Sequence, residues 1–234
     1  MLVAWCGSLS HQALAQGDGM PGPQGPIRPN DGSRLGVVLA PGLGFGIGLG
    51  HFHATPNDRS TSPLSSWYDR SVHQSVSGQL PFSLSVAYRA IPLVSFGFTT
   101  SLAKVFPAHC SEDCAGGAFY LGSELRLHFL TDRSPSPWFS FGLGYELLHF
   151  ETNQGSATFH GYGIDLQAGG DFWAGQKWTV GPYMGLRIGA YAHIVSAPSW
   201  RGVAQTSTEI SFGNQAIHAW VTSGVRGTFT FSRK

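Results

Sequence analysis

Residues 178–194 read WTVGPYMGLRIGAYAHI, and their alternation has a period of two. Trp178, Val180, Pro182, Met184, Leu186, Ile188, Ala190, Ala192 and Ile194 fall on one face. Thr179, Gly181, Tyr183, Gly185, Arg187, Gly189, Tyr191 and His193 fall on the other. A strand sends successive side chains to opposite faces, so this segment predicts a strand with one apolar face and one polar or small face. No helix places an apolar face in this way.

The pattern recurs along the chain. In 118–130, Phe119, Leu121, Leu125, Leu127 and Phe129 oppose Tyr120, Gly122, Glu124, Arg126 and His128. In 138–150, Phe139, Phe141, Leu143, Tyr145 and Leu147 oppose Ser140, Gly142, Gly144 and Glu146. In 159–173, Tyr162, Ile164, Leu166, Ala168 and Phe172 oppose Gly163, Asp165, Gln167 and Gly169. In 217–231, Ile217, Ala219, Val221, Val225, Phe229 and Phe231 oppose His218, Trp220, Thr222, Arg226 and Thr228. Weaker versions occur near 36–51, 79–89 and 93–104, which makes eight predicted strands. Most exceed the usual length of about 5–6 residues in soluble sheets, and about 9–11 tilted residues cross a bilayer. The predicted connections are 52–78, 90–92, 105–117, 131–137, 151–158, 174–177 and 195–213, mostly long and short in turn. Long loops on one side and short turns on the other are the pattern of a transmembrane barrel.

Composition separates the candidates for the apolar face. Charged residues make up 12% of the 234, against a usual quarter, while aromatics reach 13% and glycines number 32. Mean hydropathy is −0.02, and no run approaches the ~20 apolar residues of a membrane helix. A barrel strand exposes only alternate residues to lipid, so it keeps a neutral mean. In a soluble sandwich or lipocalin-like barrel, the apolar face would instead be the core. The glycine-crowded, charge-balanced opposite face argues against that. So do the aromatics near strand ends (Trp138, Trp173, Trp178, Phe229, Phe231), which suit an interfacial girdle. The expected fold is all-β: a transmembrane eight-stranded antiparallel up-and-down β-barrel over residues 35–234. The net charge of +1 gives no footprint for nucleic acid.

Residues 1–15 are expected to be a signal peptide, with Ala13-Leu14-Ala15 as the cleavage triplet. They lack a basic segment ahead of the apolar run, so the natural start is expected upstream of Met1. Residues 16–34 are rich in Gly and Pro and read as a flexible periplasmic tail. An even strand number leaves both termini in the periplasm. Cys110 and Cys114 enclose Ser-Glu-Asp, and an oxidising compartment favours a disulfide between them. A metal site is the alternative reading, but zinc takes about four ligands and only His109 adjoins. No metal or other cofactor is expected.

The predicted inner face carries Glu124, Arg126, Glu146, Asp165, Arg187 and Arg226, three acids and three bases. Unpaired charges in a narrow lumen are costly, so these groups are expected to pair as a salt-bridge cluster. An eight-stranded barrel has an interior just filled by side chains, which favours a plug over a pore. In 42–50, GLGFGIGLG, the glycines share one face. Their strict spacing of two, with no helix following, excludes a nucleotide loop. They are read as room for Tyr183, Tyr191 and Arg187 across the lumen.

Strand count, loop alternation, the charged lumen and the ending Gly227-Thr228-Phe229-Thr230-Phe231 give a resemblance to the small outer-membrane barrels typified by the OmpA transmembrane domain and OmpX. It covers roughly 35–231. The ending looks like that family's C-terminal assembly signal, although Ser232-Arg233-Lys234 follow it here. The resemblance implies an outer-membrane location, surrounding lipid as partner and a monomer.

Three functions follow as expectations. The first is a non-enzymatic surface barrel displaying 52–78, 105–117 and 195–213 to an extracellular ligand, with Trp67, Tyr68 and Trp200 at the tips. The second is a small passive pore. The third is a lipid-modifying enzyme, for which Ser156 between His149 and His160 is the nucleophile candidate. His149 lies on the lipid-facing parity at the rim, which weakens that third reading. His51 and His53 share a side, and are read as polar residues at a strand end rather than metal ligands.

Overall fold

The period-two segments become strands long enough to close on themselves. In the computed structural model, the described residues are 35–51, 71–108, 114–129, 134–152, 155–173, 177–200, 203–204, 208–211 and 217–232. The proposed leader and tail (1–34), most of the first long loop, Trp67, Tyr68 and His53 lie outside them. Seven strands come first: β1 (Gly36–Gly50), β2 (Val76–Ile91), β3 (Val94–Pro107), β4 (Ala115–His128), β5 (Ser136–Thr152), β6 (Gly155–Trp173) and β7 (Trp178–Trp200). Two short pieces follow, β8 (Val203–Ala204) and β9 (Thr208–Ser211), then β10 (Ile217–Ser232). A four-residue helix, α1 (Val72–Ser75), precedes β2.

Each long strand pairs antiparallel with its sequence neighbour from β1 to β7. The last strand pairs with both β7 and β1, which closes an eight-stranded up-and-down barrel. Closure removes the sheet edges that would otherwise invite aggregation. Among the described residues, strands β8 and β9 pair with the far end of β7.

The barrel is inverted relative to a soluble protein. Its outer wall exposes Leu43, Phe45, Phe82, Phe96, Phe98, Leu102, Leu143, Tyr162 and Met184, among others, each at 50% or more. Its interior holds buried Glu124, Arg126, Glu146, Asp165, His218 and Arg226. An apolar patch this continuous belongs against lipid. Trp178, Phe229 and Phe231 cluster on the wall at the short-turn end, with centroids 4.6 and 4.3 Å apart in sequence along the chain of contacts. That is the girdle expected there.

Four expectations change. Trp138 is no girdle residue: it is 2% exposed and faces the lumen, following its strand's parity. The connection expected at 151–158 is mostly strand, since Thr152 pairs with Gly155, whose φ of 140° suits a tight reversal. The loops expected at 52–78, 105–117 and 195–213 shrink as α1, β2, β3, β4, β7, β8 and β9 extend into them. The alternation of β7 also breaks. His160 pairs with His193, but Gly161 pairs with Tyr191, so Ala192 is an extra residue, a β-bulge. Beyond it inside and outside exchange. Ile194, expected on the apolar outer face, is fully buried within, and His193, expected within, stacks on His160 of the wall.

Candidate functional site

Inward side chains lie in three tiers along the barrel. The first lies toward the short turns. Trp138 donates from Nε1 to Asp171 Oδ1 at 3.2 Å. The Arg126 and Arg226 guanidiniums stand 4.6 and 5.2 Å from its ring centroid, within cation–π range. Arg126 donates to Glu124 Oε1 from Nε at 2.9 Å and also from Nη2. Arg226 Nη2 lies 3.5 Å from the same oxygen. One carboxylate thus sits between two arginines, both braced on one indole.

The second tier continues from Arg226. Its Nη1 donates to Gln167 Oε1 at 3.1 Å, and Gln167 Nε2 donates to Asp165 Oδ2 at 2.6 Å. Asp165 Oδ1 is 3.5 Å from Arg187 Nε. The Arg187 guanidinium lies 3.8 Å from the Tyr120 ring centroid. Gly122 and Gly144 leave the space Tyr120 occupies: a Cβ on either would come within 2.6 Å of its phenol. A single network therefore joins Arg126, Glu124, Arg226, Gln167, Asp165 and Arg187 across four strands.

Glu146 departs from the expected pairing of acids with arginines. It is 1% exposed. Its Oε1 accepts from Trp220 Nε1 at 3.0 Å and Tyr191 Oη at 3.4 Å, and its Oε2 lies 3.2 Å from His218 Nε2. Tyr191 stacks on His218 with centroids 4.1 Å apart and planes 5° off parallel. Strand parity sends all three donors to the inner face but does not connect them to Glu146. The missed signal was a buried acid opposite a strand whose inward positions, His218 and Trp220, both donate.

The third tier, toward the loops, is apolar, whereas the expected lumen was charged. Val72, Val76, Val105, Leu148, Phe150, Phe159, Tyr191, Ile194 and Trp220 form one buried cluster. Val72 enters from α1, whose first turn carries a capping box between Ser71 and Gln74. Gly48 admits it: a Cβ there would lie 2.3 Å from Val72 Cγ1 and 2.9 Å from Trp220 Cζ3. The glycines of β1 therefore do make room, for Tyr183 at Gly44 and for Val72 and Trp220 at Gly48. Those at 44 and 48 do not meet Tyr191 or Arg187, as had been expected.

The catalytic candidates are drawn into other partnerships. His149 Nδ1 is 2.8 Å from Thr158 Oγ1, and His160 Nδ1 contacts the Tyr145 hydroxyl. Ser156 is a ladder residue between Glu151 and Ala197. His51 makes a single bridge to Ser71. Cys114 is disulfide-bonded, while Cys110 lies outside the described residues. Among the described residues, no group of three or more His, Cys, Asp and Glu side chains is placed to hold a metal.

A closed eight-stranded barrel with an exposed apolar wall and a charged interior is the architecture of small outer-membrane proteins. One solved structure carries that likeness of fold. Outer membrane protein AlkL in lipid bilayers is similar at a TM-score of 0.50 and 13% identity, over 94% of this chain and 99% of that one. The crystal structure of neisserial surface protein A is similar at 0.46 and 13%, over 83% and 96%. OprG from Pseudomonas aeruginosa is similar at 0.47 and 10%, over 86% and 99%. No family model and no curated protein sequence matches the chain. The chain thus has the fold of the small OmpA- and OmpX-like outer-membrane β-barrels.

Proposed function

We propose that the chain is a non-enzymatic outer-membrane barrel with a closed lumen, whose role is structural and whose loops are displayed at the cell surface. Both termini are periplasmic in this reading, and residues 1–15 and 16–34 are its signal peptide and tail. The observation that supports it is the burial of large inward side chains along the barrel interior. Tyr120, Glu146, Tyr191, His218 and Trp220 are each at most 1% exposed, and a polar network and an apolar cluster lie on either side of them. Most charges in the network have a charged or hydrogen-bonding partner, as a permanently closed interior requires.

Single-channel recording of the refolded, leader-free chain in planar bilayers tests the reading, with heat-shifted gel migration reporting a folded barrel. A folded, silent protein agrees with it, and steady resolved openings refute it.

A narrow pore is the second reading. It is favoured by buried polar atoms of the inner wall that have no hydrogen-bond partner in the structure, namely Tyr120 Oη, Glu124 Oε2 and His218 Nδ1. In a pore, Arg187→Ala changes the selectivity of openings already present in the parent.

A further inference from the structure

The outer wall of the barrel stops being apolar at one rung. Counting across the ladder, Lys104 of β3 faces Gly117 of β4, Gly117 faces His149 of β5, and His149 faces Thr158 of β6. Directly opposed residues share a face, so these four form a row on the outside. The rung below, toward the short turns, reads Leu102, Phe119, Leu147 and His160. Below that the wall exposes Phe98 at 63% and Leu121 at 50%.

Height fixes what this row meets. From Val94, at the short-turn end of β3, to Lys104 is ten residues, about 33 Å along the strand. At a tilt of 35–45° that is roughly 25 Å of membrane normal, the height of the apolar band of such barrels. Lys104 therefore stands where acyl chains end and headgroups begin. Among the described strand residues, it is the one lysine or arginine turned outward, because Arg89, Arg126, Arg187 and Arg226 all face the lumen.

The row also has a notch. Gly117 carries no side chain, and a Cβ there would find nothing nearer than Ala103 O at 3.8 Å. Lys104 and His149 flank it two strand spacings apart, about 10 Å. The Lys104 ammonium lies 5.8 Å from the Phe106 ring centroid, which holds it at the wall. The His149 ring is oriented by Thr158 at its Nδ1, so Nε2 is its remaining polar atom. Glu151 stands one step further out on the same face of β5, on the far side of the row from the apolar belt.

We propose that Lys104, Gly117, His149 and Thr158 form a binding notch for the phosphate of a phosphorylated lipid in the leaflet at the loop end. The lipid's acyl chains lie along Leu102, Phe119, Leu121 and Leu147 below it. Lysine meets phosphate as a point charge, and the glycine lets the headgroup approach the backbone. Continuity with the apolar belt selects a lipid over free phosphate. The inference rests on the wall being in a bilayer.

The test uses the refolded chain in phosphatidylethanolamine vesicles containing either bis-phosphorylated or dephosphorylated lipid A. Native mass spectrometry of the extracted protein counts retained lipid, and co-flotation with the vesicles reports insertion separately. The parent retains the phosphorylated form preferentially. Lys104→Ala and Gly117→Leu each weaken that retention about five-fold, with heat-shifted migration unchanged. Lys104 is exposed, so its variant carries the test if Gly117→Leu does not fold. Equal retention by parent and Lys104→Ala overturns the site, as does equal retention of the two lipids. Displacement of the lipid by millimolar inorganic phosphate overturns the choice of a lipid. Failure to float overturns the membrane reading instead.

Discussion

Glu146 offers the sharpest test of how the lumen is held. In Glu146→Ala, Trp220 Nε1, Tyr191 Oη and His218 Nε2 all lose the carboxylate they meet at 3.0, 3.4 and 3.2 Å. The site is fully buried under the apolar tier, so water does not readily replace the acceptor. A buried donor left without an acceptor costs about 1–3 kcal/mol. The 3.4 Å contact belongs at the bottom of that range and the 3.0 Å contact higher. Neighbouring losses in one network do not add fully, so the expected total is about 4 kcal/mol. Glu146→Gln keeps one oxygen acceptor for Trp220, and about 1–2 kcal/mol is expected. The assay is urea unfolding of the vesicle-inserted barrel, followed by tryptophan fluorescence and by the loss of heat-shifted migration. A Glu146→Ala midpoint indistinguishable from the parent's refutes the reasoning. So does a Glu146→Gln variant as damaged as the alanine.

Three further outcomes follow from other parts of the barrel. Arg187→Ala strands Asp165 beside Gln167 and removes the cation over Tyr120, so about 3 kcal/mol of destabilisation is expected in the same assay. Adding Asp165→Asn recovers part of that loss, and a double mutant no better than the single one refutes the pairing. Gly48→Ala places a Cβ against Val72 and Trp220 and is expected to expel α1 from the barrel mouth. A cysteine introduced by Val72→Cys, unreactive to maleimide when buried, then becomes reactive, with labelling mapped by mass spectrometry; unchanged protection refutes the seating. Leu43→Arg puts a charge on the apolar wall midway along β1 and is expected to cost about 2–4 kcal/mol of stability in vesicles. No change in its unfolding midpoint argues against a lipid-facing wall.

Much of this protein was legible along the chain because strand parity is a local property. Alternation alone divided β4 into lipid-facing Leu121, Leu125 and Leu127 and lumen-facing Tyr120, Glu124 and Arg126, and the structure keeps that division. The same rule counted the eight barrel strands and sent Glu146, Asp165, Arg187 and Arg226 inward, because a two-residue period needs no knowledge of distant neighbours. Trp138 was legible by the same rule and was misread through its chemistry: a tryptophan at a strand end suggested an interface, but parity aimed it at two arginines.

Tertiary structure decided whatever depends on which residues meet across the barrel. Glu146 and Trp220 are 74 positions apart, and only closure of β10 onto β7 and β1 brings them into contact. No local signal marks Ala192 as the bulged residue, yet one inserted residue exchanges Ile194 for His193 on the inner face, because the period is two. The apolar cap was equally hidden. Val72 lies in a stretch that reads as loop, and it becomes core only because Gly48, on β1, leaves a hole of its shape. The sequence thus set the face of most side chains, and barrel closure set their partners, since facing is a matter of backbone geometry and partnership a matter of register between distant strands.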